Sequence, residues 1–107
     1  NGNANGTMVY TGFKPALIII KKLGTSGFQC FDNKRDPINK DSGGSINLTA
    51  NYGAETRDSN TKIDFLSNGF KIRTTGGQVN TSGTDYGFGA FAENPFVTST
   101  GVPTTAR

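Results

Sequence analysis

Residues 62–73 read Lys-Ile-Asp-Phe-Leu-Ser-Asn-Gly-Phe-Lys-Ile-Arg, and this stretch decides the fold class. Apolar and polar residues alternate on both sides of a short polar centre, which is the period of a strand with one buried face. At that centre, Asn68-Gly69 is a favoured pair for a two-residue type I′ turn, in which both residues need positive φ. The stretch therefore predicts a β-hairpin. Its face-sharing apolar residues are Ile63 and Phe65 in the first strand, and Phe70 and Ile72 in the second.

The rest of the chain continues this pattern of short strands and turns. Residues 17–22 begin with apolar residues at consecutive positions, which predicts a central strand buried on both faces. The other predicted strands are residues 7–13, 28–31, 46–48 and 85–96. Together with the hairpin they predict an all-β domain, an antiparallel, jelly-roll-like β-sandwich of about seven or eight short strands.

Length and composition indicate one domain without long helices. The chain has 107 residues, of which 15 are glycine and only 33% are hydrophobic, and this mix suits strands joined by many turns. We expect a linker at residues 1–6, the sandwich at residues 7–96 and an extended C-terminal tail at residues 97–107. The net charge of +3 is dispersed along the chain, which argues against a nucleic-acid surface. No apolar run is long enough for membrane insertion.

Few residues suggest catalysis. The sequence has no histidine and one cysteine, Cys30, so a thiol nucleophile would lack its usual base. The apolar neighbours of Cys30 predict a small buried side chain instead. Glycosidases need two carboxylates that face one cleft, and no spacing in this sequence selects such a pair. We therefore expect no enzyme, no catalytic residue and no cofactor.

The first long polar loop, residues 32–44, raises the question of a metal. Asp32, Asp36 and Asp41 offer the oxygen ligands that calcium takes. Basic residues such as Arg35 are interleaved with them and would oppose a divalent cation. The alternative is that Asp32 and Asp36 pair with Arg35 and cap turns. We predict no metal site.

The second polar loop, residues 51–61, holds the candidate binding residues. Tyr52 is an aromatic residue in a polar, glycine-flanked setting, which suits stacking on a sugar ring. Asn51, Arg57 and Asp58 lie nearby in the sequence and would bind sugar hydroxyl groups. The loop therefore predicts a glycan site, and the alternative is a half-buried Tyr52 that anchors its own loop.

Four segments occur in an order that resembles a known family. They are residues 10–16 (Tyr-Thr-Gly-Phe-Lys-Pro-Ala), 31–37 (Phe-Asp-Asn-Lys-Arg-Asp-Pro), 63–73, and 90–96 (Ala-Phe-Ala-Glu-Asn-Pro-Phe). As a set they resemble an uncharacterised C-terminal domain of tailed-phage and prophage tail and virion proteins, often found behind a concanavalin-like jelly-roll domain. The family has no established activity, so the resemblance transfers no catalytic position.

This resemblance implies a place in the virion, on the particle surface or in the tail. It implies a structural or adhesive role, as a tail-fibre, tail-tip or capsid-surface module that contacts other virion proteins or the host surface. Eight phenylalanines are enough to leave one or two for the subunit contact of a homo-oligomer. The alternative is a carbohydrate-binding module for host surface glycan, and the third hypothesis is a polysaccharide-degrading enzyme. Residues 87–89 (Gly-Phe-Gly) stand where many relatives are bulkier, which predicts looser packing there.

Overall fold

The computed structural model describes residues 1–24, 27–36, 39, 43–49 and 55–94. They form eight β-strands and one turn of 3-10 helix, Ser59–Thr61. The strands are β1 (Met8–Tyr10), β2 (Pro15–Lys22), β3 (Phe28–Asp32), β4 (Ser45–Thr49), β5 (Glu55–Asp58), β6 (Ile63–Leu66), β7 (Gly69–Ile72) and β8 (Tyr86–Ala92).

The strands form two antiparallel sheets. The smaller sheet has three strands in the order β1-β7-β6, and the larger sheet has five in the order β5-β4-β3-β2-β8. Apolar side chains from both sheets meet in one core, which consists of Ile18, Ile20, Phe31, Ile63, Phe70, Ile72 and Val79. Burying each such side chain stabilises the fold by about 1.5–3 kcal/mol. The prediction of an all-β, antiparallel β-sandwich is confirmed.

Strand β2 is interior to its sheet, as predicted, but it is buried on one face only. Ile18 and Ile20 are buried in the core, whereas Leu17 and Ile19 are half-buried on the opposite face. Pro15, which has no N–H for a ladder hydrogen bond, is the first residue of the strand. It pairs with Ala92 where the register of β2 against β8 shifts, a position where proline is tolerated in a sheet.

The β6–β7 hairpin forms, but its turn differs from the predicted one. Leu66 pairs with Gly69, so the two-residue loop is Ser67-Asn68. Neither loop residue has positive φ, so the type I′ prediction is wrong. Gly69 is needed for another reason: a Cβ there would collide with the carbonyl oxygen of Val9 in the neighbouring β1.

Residues 1–6 and 73–85 contact each other at one end of the sandwich. The side-chain carbonyl of Asn80 accepts hydrogen bonds from the backbone nitrogens of Asn1 and Gly2, both at 3.2 Å. Its side-chain amide donates to the carbonyl oxygens of Asn3, at 2.9 Å, and Thr74, at 2.6 Å. The residues for which the sequence predicts a linker therefore lie against the domain in this structure.

Candidate functional site

The outer face of the larger sheet, the face that points away from the smaller sheet, carries apolar side chains. Paired residues of adjacent strands share a face, so the register places Gly89, Ile19, Cys30 and Leu48 in one row across four strands. Phe91 pairs with Leu17, Phe28 pairs with Lys21, and Ile46 lies on the same face of β4 as Leu48. Phe91 is 57% exposed and Phe28 is 47% exposed.

Polar residues lie beneath this face, on the side that points into the sandwich. Ser45, Asn47 and Thr49 of β4 are buried, whereas the apolar residues between them are only half-buried. Gln29 of β3 is also buried, and its side-chain oxygen accepts hydrogen bonds from the Asn47 amide and from the Thr49 hydroxyl, the latter at 3.0 Å. These hydrogen bonds satisfy groups that would be costly to bury unpaired. Strand β4 therefore presents its apolar residues outward.

Strand β3 also directs apolar side chains to the outer face. The sequence predicts Cys30 as a buried side chain, and this is wrong, because Cys30 and Phe28 occupy the outer face while Gln29 and Phe31 point inward. Period-two alternation in a strand at residues 28–31 places Phe28 with Cys30 and Gln29 with Phe31, as observed. Alternation does not tell which pair is inside, because the second sheet that decides this is remote in sequence.

Side chains close the free edge of β6, on one side of the sandwich. The Ser45 hydroxyl accepts from the Ile63 N–H at 3.0 Å and donates to the Ile63 carbonyl at 3.1 Å. The Asn39 amide does the same for Phe65, with both bonds at 2.9 Å. These groups take the place of a further strand. We call this the closed side.

The other side of the sandwich is open between β1 and β8. A cavity of about 260 Å³ lies there, lined among others by Val9, Phe70 and Phe88. The Phe88 ring points toward the core and meets Phe70 edge-to-face at 5.4 Å between centroids, yet Phe88 is 50% exposed. We call this the open side.

The predicted glycan residues that the structure describes are held by contacts within the chain. Arg57 donates to the carboxylate of Asp36, at 3.0 Å, and to the carbonyl of Gly44, at 2.8 Å. Asp58 caps the 3-10 turn by accepting from the backbone and side-chain amides of Asn60, both at 2.9 Å. Tyr52 and Asn51 lie outside the described residues. The glycan site therefore stays a prediction.

Asp32 caps a turn, as the sequence predicts. Its carboxylate accepts from the backbone N–H groups of Lys34 and Arg35 and pairs with the Arg35 guanidinium at 2.6 Å. Burial alone would raise the pKa of Asp32, but these hydrogen bonds and the positive charge outweigh it and lower the pKa. Asp36, which was expected beside Arg35, pairs with Arg57 instead. Within the described part of the chain, no three acidic, cysteine or histidine side chains cluster as metal ligands would.

One family of protein domains matches residues 1–95, and its description is a domain of unknown function, DUF7483. The chain belongs to this family. The match includes all eight strands and stops one residue short of residue 96, where the sequence places the end of the sandwich. No curated protein and no solved structure matches the chain. No helix among the described residues is long and apolar enough to cross a membrane.

Proposed function

We propose that this domain is a contact module of a bacteriophage virion or tail protein, which works by docking to other proteins or to the host surface. The observation that carries the proposal is the apolar outer face of the larger sheet. Apolar side chains gathered on an outer surface mark a site of protein contact. On this face Phe28 and Phe91 are exposed, and the apolar residues between them are half-buried. The resemblance of the four sequence segments to phage tail and virion domains supplies the setting.

The placement of polar residues supports a contact role for the outer face. In a sandwich with one solvated outer face, apolar residues point inward and polar residues outward. Strand β4 does the reverse, with Ser45 and Asn47 buried and Ile46 facing out. Such a pattern leaves apolar side chains at the surface, and a partner that covers Ile46 and its neighbours would remove that surface from water, which is favourable.

Mass spectrometry of purified particles tests the virion setting. Particles released by the organism that encodes this sequence would be purified by density gradient, and we expect peptides of residues 1–107 to remain with intact particles after a salt wash. Their absence from infectious particles, while other tail proteins are detected, would contradict the proposal.

A pair of charge substitutions tests the outer face within that setting. Phe28→Glu places a carboxylate on the outer face, where the side chain is 47% exposed. Met8→Glu is the matched control on β1 of the smaller sheet, with a side chain 43% exposed. We expect Phe28→Glu to lower incorporation into particles at least tenfold and Met8→Glu to leave it unchanged. Equal incorporation of both would contradict docking through this face.

Binding of host glycan is the second candidate function. Tyr10 is 71% exposed on β1, and an exposed tyrosine ring can stack on a sugar. A glycan array probed with the wild-type chain, Tyr10→Ala and Tyr52→Ala distinguishes the two tyrosines. Binding lost only in Tyr52→Ala supports the predicted loop site, and binding lost only in Tyr10→Ala moves it to β1. No binding above background removes this candidate.

A further inference from the structure

Among the described strands, β8 is an edge strand without the features that normally block edge pairing. It is seven residues long, Tyr-Gly-Phe-Gly-Ala-Phe-Ala, and lies at the end of the five-stranded order. Natural edges are usually protected by charged residues, proline or a bulge. Residues 86–92 contain no charged residue and no proline, and the irregularity in the β2–β8 ladder lies in β2, between Pro15 and Leu17.

The backbone of β8 offers hydrogen-bonding groups along its outer edge. Asp85 accepts from the Leu23 N–H at 3.0 Å, and the Glu93 N–H donates to Lys14 at 2.8 Å, so both residues direct these groups toward β2. Directions alternate along an antiparallel strand. The residues whose N–H and C=O groups point to the outer edge are therefore Tyr86, Phe88, Ala90 and Ala92. Among the described residues, none bonds to these groups.

The described part of the chain gives no reason for Gly87 and Gly89. Neither has positive φ, and a Cβ built on either would meet no atom of a described residue within 4 Å. Glycine in a strand weakens it, and it often marks a place where another backbone or ligand approaches closely. The space above these two residues is therefore available to something outside the described chain.

Residue sizes along β8 are complementary to a second copy of the same strand. A two-fold axis perpendicular to the sheet pairs β8 with itself in antiparallel orientation and keeps each face continuous. Centred on Gly89, this pairing sets Phe91 opposite Gly87 and Phe88 opposite Ala90. Centred on Ala90, it sets Phe91 opposite Gly89 and Phe88 opposite Ala92. The neighbouring registers place a phenylalanine opposite itself.

We propose that two copies of this chain associate by antiparallel pairing of their β8 strands, which joins their larger sheets into one continuous sheet. The contact covers Phe91 on the outer face and part of Phe88 on the inner face. Glu93, at the end of the strand, does not bring an unpaired charge, because Lys14 lies 2.6 Å from it in the same chain. The proposal goes beyond the virion setting and does not depend on it, since the pair would form in solution.

Sedimentation of the chain of residues 1–107 tests the association. Over about 1 µM to 1 mM, which spans weak to moderately tight binding, we expect the mass to rise from the 11.3 kDa monomer to twice that value. Gly89→Lys, an edge-blocking charge in open space, should give a folded monomer, shown by an unchanged circular dichroism spectrum. Gly89→Ser and Tyr10→Lys are the controls and should still pair. A wild-type monomer at every concentration, or a Gly89→Lys variant that pairs like wild type, would overturn the proposal.

Cysteine crosslinking locates the contact. In a Cys30→Ser background, single cysteines at positions 89 and 90 lie on or next to the two-fold axis in the two registers. At least one of Gly89→Cys and Ala90→Cys should form disulfide-linked pairs ten times faster than Tyr10→Cys on edge strand β1. Crosslinking at neither position above that control would show that β8 is not the contact. If deleting residues 95–107 is required before pairing is seen, the tail of the same chain covers β8 and the proposal is wrong for the full chain.

Discussion

The closed and open sides of the sandwich differ in how the outer backbone groups of an edge strand are treated. On the closed side, Ser45 and Asn39 use side-chain groups to satisfy the backbone of β6, residue by residue. On the open side, no described residue bonds to the outer backbone groups of β8, and the strand carries glycine where a side chain would fit. An edge that is satisfied by its own chain cannot accept a partner strand, whereas an open, uncharged edge can. The difference supports the proposed pairing through the open side.

Two glycines, Gly69 in the middle strand of the smaller sheet and Gly89 on the open edge of the larger sheet, give the largest expected difference. Gly69→Ala drives a Cβ into the Val9 carbonyl, and we expect it to lower the free energy of unfolding by about 2–3 kcal/mol. Gly89→Ala places its Cβ in open space and should raise the free energy of unfolding by about 0.5–1 kcal/mol. Urea denaturation at a low protein concentration measures both. Similar losses for the two variants would remove the distinction between a required and an unrequired glycine.

Ser45→Ala tests whether the closed side depends on its bridging hydroxyl. The substitution leaves the buried N–H and C=O of Ile63 without their partner, and we expect a loss of about 2 kcal/mol in the free energy of unfolding. Ser67→Ala, in the exposed hairpin loop, is the matched control and should change it by less than about 0.5 kcal/mol. A loss for Ser45→Ala no greater than the control would mean that water or a shifted group closes this edge.

Asp32→Asn makes the stability of the fold depend less on pH. The pKa of Asp32 is lowered in the folded state, so its contribution is present above the ordinary pKa and is lost as pH falls through the lowered folded value. We expect the wild type to exceed the variant by about 1 kcal/mol at pH 7 and the difference to shrink at acidic pH, below about 4. Asp85→Asn, an exposed change of equal charge, is the control. A difference that stays constant from pH 7 to pH 3 would argue against this ionisation.

Filling the cavity on the open side should give the smallest effect. Val9 is partly buried against the core and lines the cavity of about 260 Å³. Val9→Ile adds one methylene there, and we expect the free energy of unfolding to rise by about 0.5 kcal/mol, less than the value of a fully buried methylene. Met8→Leu on the exposed face of β1 is the control. A loss of stability in Val9→Ile would show that the open side is packed more tightly than its cavity implies.

Local patterns in the sequence were sufficient for seven of the eight strands and for the sandwich, because alternation and turn residues act over a few positions. They missed β5 (Glu55–Asp58), which lies in the predicted loop 51–61 and has no apolar residue to alternate. They also failed where a distant element decides the outcome. Ile46-Asn47-Leu48 alternates in either orientation, and only the contact of Ser45 with Ile63 fixes which face is inside. Asn68-Gly69 is a pair that favours a type I′ turn. The reason for glycine at position 69 is instead the carbonyl of Val9 in another strand, which leaves no room for a side chain.

The candidate site was less accessible to sequence reasoning for the same physical reason. Arg57 was assigned to a glycan, yet its carboxylate partner Asp36 lies 21 positions earlier in the chain, and no local pattern predicts that pair. The signal that could have pointed to the outer face was present, since Ser45, Asn47 and Thr49 alternate with two large apolar residues. The signal for the β8 edge was also present, in a strand that contains two glycines and no charge.

The charged strand at the far end of the larger sheet limits how far an assembly can grow. Strand β5, Glu-Thr-Arg-Asp, has three charged residues among its four, and Arg57 is already committed to Asp36. Among the described strands, β8 is the uncharged edge of the larger sheet, so the proposed pairing leaves the charged β5 strands outermost. Under that proposal we expect growth to stop at a ten-stranded layer with a charged strand at each end, so that the chain gains a partner without the open-ended stacking that leads to fibrils.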